Sequence, residues 1–272
     1  MTLGRSMLRR GSAAFALAIA GALFMPAPTA LAAPISTLNC SGGPVPGGTY
    51  SSVTVSGACF ASAGNIHVLG NLTVAGGAAL VAVFAAGNVT VDGSVVVAPG
   101  GALLLGCEPD FSTCVDDTSN TLMTNDVIGG ALIANGGLAS VVHHTRIGSG
   151  VRQNGGGGGT SDFVPIPVLL PTFAGFVPAY SDYEDNTISG GLHVTNLQTG
   201  WFGVFRNHVN GTVVLNNNAL FDSDGNEVAD NVIHGSLKCS GNDPAIQIGD
   251  SQGGPNQVTG QTTAQCLHPI AS

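Results

Sequence analysis

The stretches DNTISGGLHV (185–194), RNHVNGTVVL (206–215) and DNVIHGSLKC (230–239) say nearly the same thing three times. Each reads Asn-x-[Ile/Val]-x-Gly-x-[Leu/Val], and they begin 21 and 24 residues apart. Anchored on the β-branched residue, the pattern recurs at Val68, Val91, Val127, Ile147, Ile188, Val209, Ile233 and Val258. Positions two, four and six after the anchor are mostly glycine or apolar, whereas odd offsets are mixed and often polar. That period of two is the mark of strands with one buried face. A repeat of 20–25 residues built on such strands predicts a solenoid, because each unit can bury its apolar face only against the next. Leucine-rich repeats share the length, but their L-x-x-L-x-L pattern is missing. The expectation is an all-β, right-handed parallel β-helix with one coil per repeat, coils stacking about 4.8 Å apart.

Stacking turns sequence columns into ladders. Asn186, Asn207, Asn231 and Asn256 stand two residues before the anchor, with Asn125 placed in the same column earlier. An asparagine ladder lets each amide hydrogen-bond the next. One residue further back, Asp185, Arg206 and Asp230 predict a charge ladder. The glycine column predicts a corner where the backbone bends sharply or takes positive φ. Two steps are longer than the rest and hold insertions, near 107–120 and 154–184. The first contains CEPDFSTC, read as a disulfide-closed loop. The second contains five glycines, Gly155–Gly159, read as a linker or flexible loop, then an aromatic and proline-rich segment from Phe163 to Tyr180. That segment is expected to pack over a flank of the solenoid.

The repeated GNIHVLGNLTVAGGAAL (64–80) and GNVTVDGSVVVAPGGALL (87–104) resemble coils of secreted bacterial right-handed parallel β-helix proteins, the pectin-lyase-like superfold. The closing LKCSGNDPAIQIG and NQVTGQTTAQC resemble the Cys-terminated last coils of Gly/Ala-rich exported proteins. The resemblance covers most of residues 45–266. It implies the architecture rather than an activity, since one superfold carries many chemistries. Pectate lyases of this fold imply acidic Ca²⁺ ligands beside a basic residue, and polygalacturonases imply a carboxylate trio with Gly-His-Gly and Arg-x-Lys. The paired Asp116–Asp117 is present, but Gly-His-Gly and Arg-x-Lys are not.

Residues 1–32 read as a secretory signal: Arg5, Arg9 and Arg10, then the apolar run SAAFALAIAGALFM, then ALA at 30–32. Residues 33–272 read as a single β-helix domain, secreted to the extracellular space, with no transmembrane segment. Of 7 Lys+Arg and 16 Asp+Glu in the chain, only Arg146, Arg152, Arg206 and Lys238 of the basic residues follow the signal. So acidic a chain disfavours nucleic acid, anionic lipid and polyanionic substrates unless a cation intervenes. The 6 cysteines of an exported chain suggest disulfides, with 40–59, 107–114 and 239–266 favoured because each pair brackets one loop or repeat. This reading involves Cys40, Cys59, Cys107, Cys114, Cys239 and Cys266.

FDSDGNEVAD (221–230) is oxygen-rich, but its Gly225 is misplaced for an EF-hand loop and it reads as a solvated turn. The histidines occupy scattered columns and converge on no metal site. No catalytic residue, metal or cofactor is assigned. The composition leaves a non-enzymatic structural or interaction protein, its partner a cell-wall or extracellular glycan or another surface protein. The alternative is a polysaccharide-binding or polysaccharide-degrading β-helix in which Trp201, Phe202 and Phe205 stack sugars.

Overall fold

The computed structural model describes residues 35–62, 64–83, 87–106, 126–171, 177–248 and 253–267. These form an all-β parallel β-helix. Coils 1 to 10 begin with the strands Ser36–Cys40, Gly48–Val55, Ile66–Val68, Val89–Val91, Asp126–Ile128, Thr145–Ile147, Thr187–Ile188, His208–Val209, Val232–Ile233 and Gln257–Val258. Coil 7 shows the plan: Thr187–Ile188, Leu192–Thr195, Gln198–Thr199 and Phe202–Phe205, each paired in parallel with its counterpart in coil 8. First and second strands of successive coils form an 18-stranded long sheet. The last strands form an 8-stranded short sheet, which includes Ala79–Ala82, Ala102–Leu105, Ala139–His143, Ser181–Glu184, Phe202–Phe205 and Asn226–Ala229.

The core is a set of aliphatic stacks. Ile128, Ile147, Ile188, Val209 and Ile233 are in register and fully buried. Leu132, Val151, Leu192, Val213 and Leu237 form the next stack. Each such side chain contributes roughly 1.5–3 kcal/mol by leaving water. Coil 5 departs from the sequence register by one residue. Ile128, not Val127, pairs with Val91 and Ile147, and Val127 points outward. A one-residue slip exchanges the two faces of a strand, and the bulkier Ile128 takes the core. Asp126 consequently occupies the ladder column, where its Oδ1 accepts the amide of Val89 at 2.6 Å. Asn125 lies outside the described residues.

From coil 7 onward the ladder is continuous. Asn207 Oδ1 accepts the backbone amide and the Nδ2 of Asn186, Asn231 Oδ1 does the same for Asn207, and Asn256 Oδ1 for Asn231, at 2.8–3.1 Å. Their Nδ2 groups also donate to buried carbonyls, such as that of Tyr183 from Asn207. Asp185, Arg206 and Asp230, one residue earlier, have φ of 55, 51 and 58°. They are the left-handed corner of each coil, so backbone geometry sets this column. Among the described residues Arg206 pairs with Asp185 and Glu184 in the preceding coil and makes no ion pair with Asp230. A second ladder, unforeseen from the sequence, turns the opposite corner. Asn196, Asn217 and Gly241 have φ of 57, 55 and 65°. Behind them Asn218 Oδ1 accepts the amide of Leu197, and Asn242 Oδ1 that of Asn218.

The glycine column has a different cause from a positive φ. A Cβ on Gly190 would lie 1.6 Å from the Ser149 carbonyl oxygen, and one on Gly235 would lie 2.4 Å from that of Gly211. Glycine is required there because neighbouring coils touch backbone to backbone. Gly155–Gly159 is also no linker. All five glycines have positive φ, and Gly155, Gly157 and Gly159 donate to Thr195, Gly137 and Gln198. The run is a hydrogen-bonded part of coil 6.

The insertion after it is shorter than 154–184, because Ser181–Glu184 is a regular strand of the short sheet. Its Ile166, Leu169 and Ala179 pack on Ala79, Val81, Ala102, Leu104, Ala139 and Val141, forming a second buried cluster outside the solenoid wall. Disulfides Cys40–Cys59 and Cys239–Cys266 brace the two ends. They close 19 and 27 residues, a length for which a cross-link stabilises by about 3 kcal/mol. Cys107 and Cys114, like Asp116 and Asp117, lie outside the described residues. No helix among the described residues is long and apolar enough to cross a membrane.

Candidate functional site

The outward columns of the long sheet collect cations. Arg152, His193, Val214 and Lys238 are in register through coils 6 to 9, as are Arg146, Thr187, His208 and Val232 on the other side of the glycine corner. Arg146, Arg152, His208 and Lys238 are exposed. Three of the four Lys and Arg that follow residue 34 thus stand on one wall. Among the described residues no Asp or Glu occupies an outward strand position of this sheet in coils 5 to 10. Beside the Arg152 column runs a polar one, Asn154, Thr195, Asn216 and Ser240, in which Thr195 Oγ1 donates to Asn154 Oδ1 at 3.0 Å and Ser240 Oγ donates to Asn216 Oδ1 at 2.9 Å.

At the corner lies a hollow of about 160 Å³ lined by Ile133, Ser149, Arg152 and His193. The His193 ring folds over Gly191, where a Cβ would come within 2.9 Å of Nε2. Partial burial, and then the charge of Arg152, hold its pKa below the ordinary histidine value. Acidic groups gather at the turns: Asp185 and Asp230 sit at the corner between the short and long sheets, and Asp222 and Asp224 in the turn that precedes the short-sheet strand Asn226–Ala229.

The short sheet presents a different outer face. Where the insertion stops covering it, the outward positions are His143, Asp182, Glu184, Gly203, Phe205 and Glu227. His143 Nε2 lies 3.0 Å from Asp182 Oδ2 and 3.9 Å from Glu184 Oε2. Glu184 Oε1 is held by Arg206 Nη2. Trp201 lies across Gly203, which has no side chain because a Cβ would meet the indole at 2.3 Å and Phe205 at 2.5 Å. The indole stacks on Phe205, meets Tyr180 edge-on, and donates from Nε1 to Glu227 Oε1 at 3.1 Å.

These placements revise the sugar-stacking trio. Phe202 points into the core and is fully buried, because its strand alternates and 202 falls on the inner face. Phe205 is 4% exposed beneath Trp201. Only Trp201 retains partial exposure. In 221–230, Asp222 Oδ1 accepts the Asp224 amide in a local turn, while Asn226 and Glu227 are buried strand residues on opposite faces. The set does not converge. Of the histidines, His67 pairs with Asp92 at the surface, and His143 meets two carboxylates from the next coil. The sequence conceals that meeting because 143 and 182 are separated by the insertion.

No family model matches the chain, and no curated protein or solved structure matches it either.

Proposed function

We propose that this is an exported, extracellular, non-enzymatic binding protein whose long sheet holds an acidic glycan. The observation that supports this reading is the segregation of charge. Four basic against sixteen acidic side chains follow the signal, a net charge of −12, yet Arg146, Arg152 and Lys238 share one wall with no described carboxylate at an outward strand position in coils 5 to 10. Net charge governs the far field, while a bound polymer experiences the local one. Arg152 and Lys238 lie three coils apart, roughly 14 Å at about 4.8 Å per coil. Arginine and lysine suit uronate carboxylates, and the adjoining Asn/Thr/Ser column suits sugar hydroxyls. The signal-like residues 1–32 and the two disulfides support export. The pectin-lyase-like resemblance supports a glycan as the partner class.

The test uses the chain from residue 33 with polygalacturonate and a neutral glucan, by titration calorimetry at low salt. Expected is binding of the polyuronate alone, weakened at least tenfold in R146A/R152A/K238A, unchanged in R206A, and lost with added salt. Absence of binding, or binding indifferent to the triple substitution, overturns the proposal. Release of reducing sugar replaces it with the degradative alternative.

A further inference from the structure

We propose that His143, Asp182 and Glu184 form a binding site for a divalent transition-metal ion, zinc by its ligand set. The site is independent of the glycan-binding wall, being on the other sheet. His143 ends the strand Ala139–His143, and Asp182 and Glu184 lie on the adjacent strand Ser181–Glu184. His143 is directly paired with Glu184, and Asp182 is its diagonal neighbour on the same outer face. The parallel ladder therefore aims all three side chains at one point. One ligand atom from each lies within 4.8 Å of the other two. An ion with bonds of about 2.0–2.2 Å sets neighbouring ligands of a tetrahedron about 3.3–3.6 Å apart. The separations of 3.0 and 3.9 Å from His143 Nε2 bracket that spacing.

A second observation points to a ligand. Asp182 is 5% exposed, and its Oδ1, directed over Gly203, has no hydrogen-bond partner. A buried carboxylate with one oxygen lacking a donor is destabilising, and a cation bound on the Oδ2 side offsets the charge of that carboxylate and so reduces the cost. Both Asp182 and Glu184 bring negative charge to a place where their side chains are only 7 and 13% exposed. Arg206 offsets part of this from one side of Glu184, leaving Oε2 toward His143. One nitrogen and two carboxylates suit zinc better than calcium, which takes six to eight oxygens, or magnesium, which retains its waters. Three protein ligands leave a fourth position for water. The ion would tie coil 5 to coil 6 beside the insertion.

The experiment takes the full chain from residue 33, purified without a metal-affinity step and stripped with EDTA. Zinc chloride alone is then titrated, reading stoichiometry by calorimetry and Tm by scanning fluorimetry. Expected is one ion per chain with a dissociation constant of micromolar or tighter, and a Tm that rises with zinc and falls on chelation. D182N and E184Q, close in shape to the native residues, should each weaken binding at least tenfold. H67A, at the exposed His67–Asp92 pair, should not. Cobalt(II) added to the unmutated chain should give the intense visible bands of a low-coordinate site, which keeps the proposal testable if either variant fails to fold. Tm unmoved by zinc, tight binding retained in both variants, or cobalt bands of a fully hydrated ion would each overturn it.

Discussion

The outer faces of the long and short sheets are made by the same alternation of side chains, yet they do opposite things. The short sheet's face is apolar in coils 3 to 5 and is roofed by the insertion through Ile166 and Leu169. Further along it is acidic and is closed by Trp201 and Arg206. Among the described residues the long sheet's face in coils 6 to 9 has no such cover and carries Arg146, Arg152 and Lys238 in the open. A covered face contributes stability and a bare one is free to bind. This difference predicts that equal chemical changes will have unequal effects on the two walls.

The largest effect should follow loss of the roof. Ile166→Ala with Leu169→Ala should cost about 2–5 kcal/mol for each side chain removed, read from urea unfolding. Val214→Ala, on the bare wall, should stay within about 0.5 kcal/mol. Equal costs would break the comparison. Next is the corner that joins the two walls. Asn207→Ala strands buried groups of Asn186, Asn231 and the Tyr183 carbonyl, at about 1–3 kcal/mol per group left unpaired. Asn154→Ala, exposed on the long sheet, should shift the urea midpoint far less, although it too bonds a neighbouring coil through Asn196.

The smallest effect concerns pH. His193 has a folded pKa below its ordinary 6.5, so the unfolded chain takes up the proton first. The contribution of neutral His193 to stability is complete above pH 6.5 and is lost as pH falls below that value toward the folded pKa. His193→Gln should flatten the Tm profile in that window and leave it unchanged above. A bound polyuronate should reverse the trend, because its carboxylates favour the protonated ring. Tyr183 sits inside the solenoid, bonded to Gln153, where burial pushes its phenol upward, so it contributes no titration in the physiological range.

The repeat made coils, core stacks and the Asn186–Asn256 ladder legible, because period-two burial and stacking act within one unit and its neighbour. Coil 5 was harder. Its anchor followed an insertion, and nothing local distinguishes Val127 from Ile128 until the flanking coils fix which one faces inward. The second ladder was hidden because LNNNAL (215–220) and SGN (240–242) look like ordinary turns until they are stacked. The trio His143, Asp182 and Glu184 was invisible for a related reason. The insertion lies between its members, and sheet register alone brings them together.

Alternation and repetition alone made the fold class, the coil length and the Asn186–Asn256 ladder readable in the sequence, because both are local. Which face is covered, which cations share a wall and which acids meet a histidine were decided only in the tertiary structure. The physical reason is that a solenoid's surface columns run across coils, so residues 20–40 positions apart become neighbours about 4.8 Å apart.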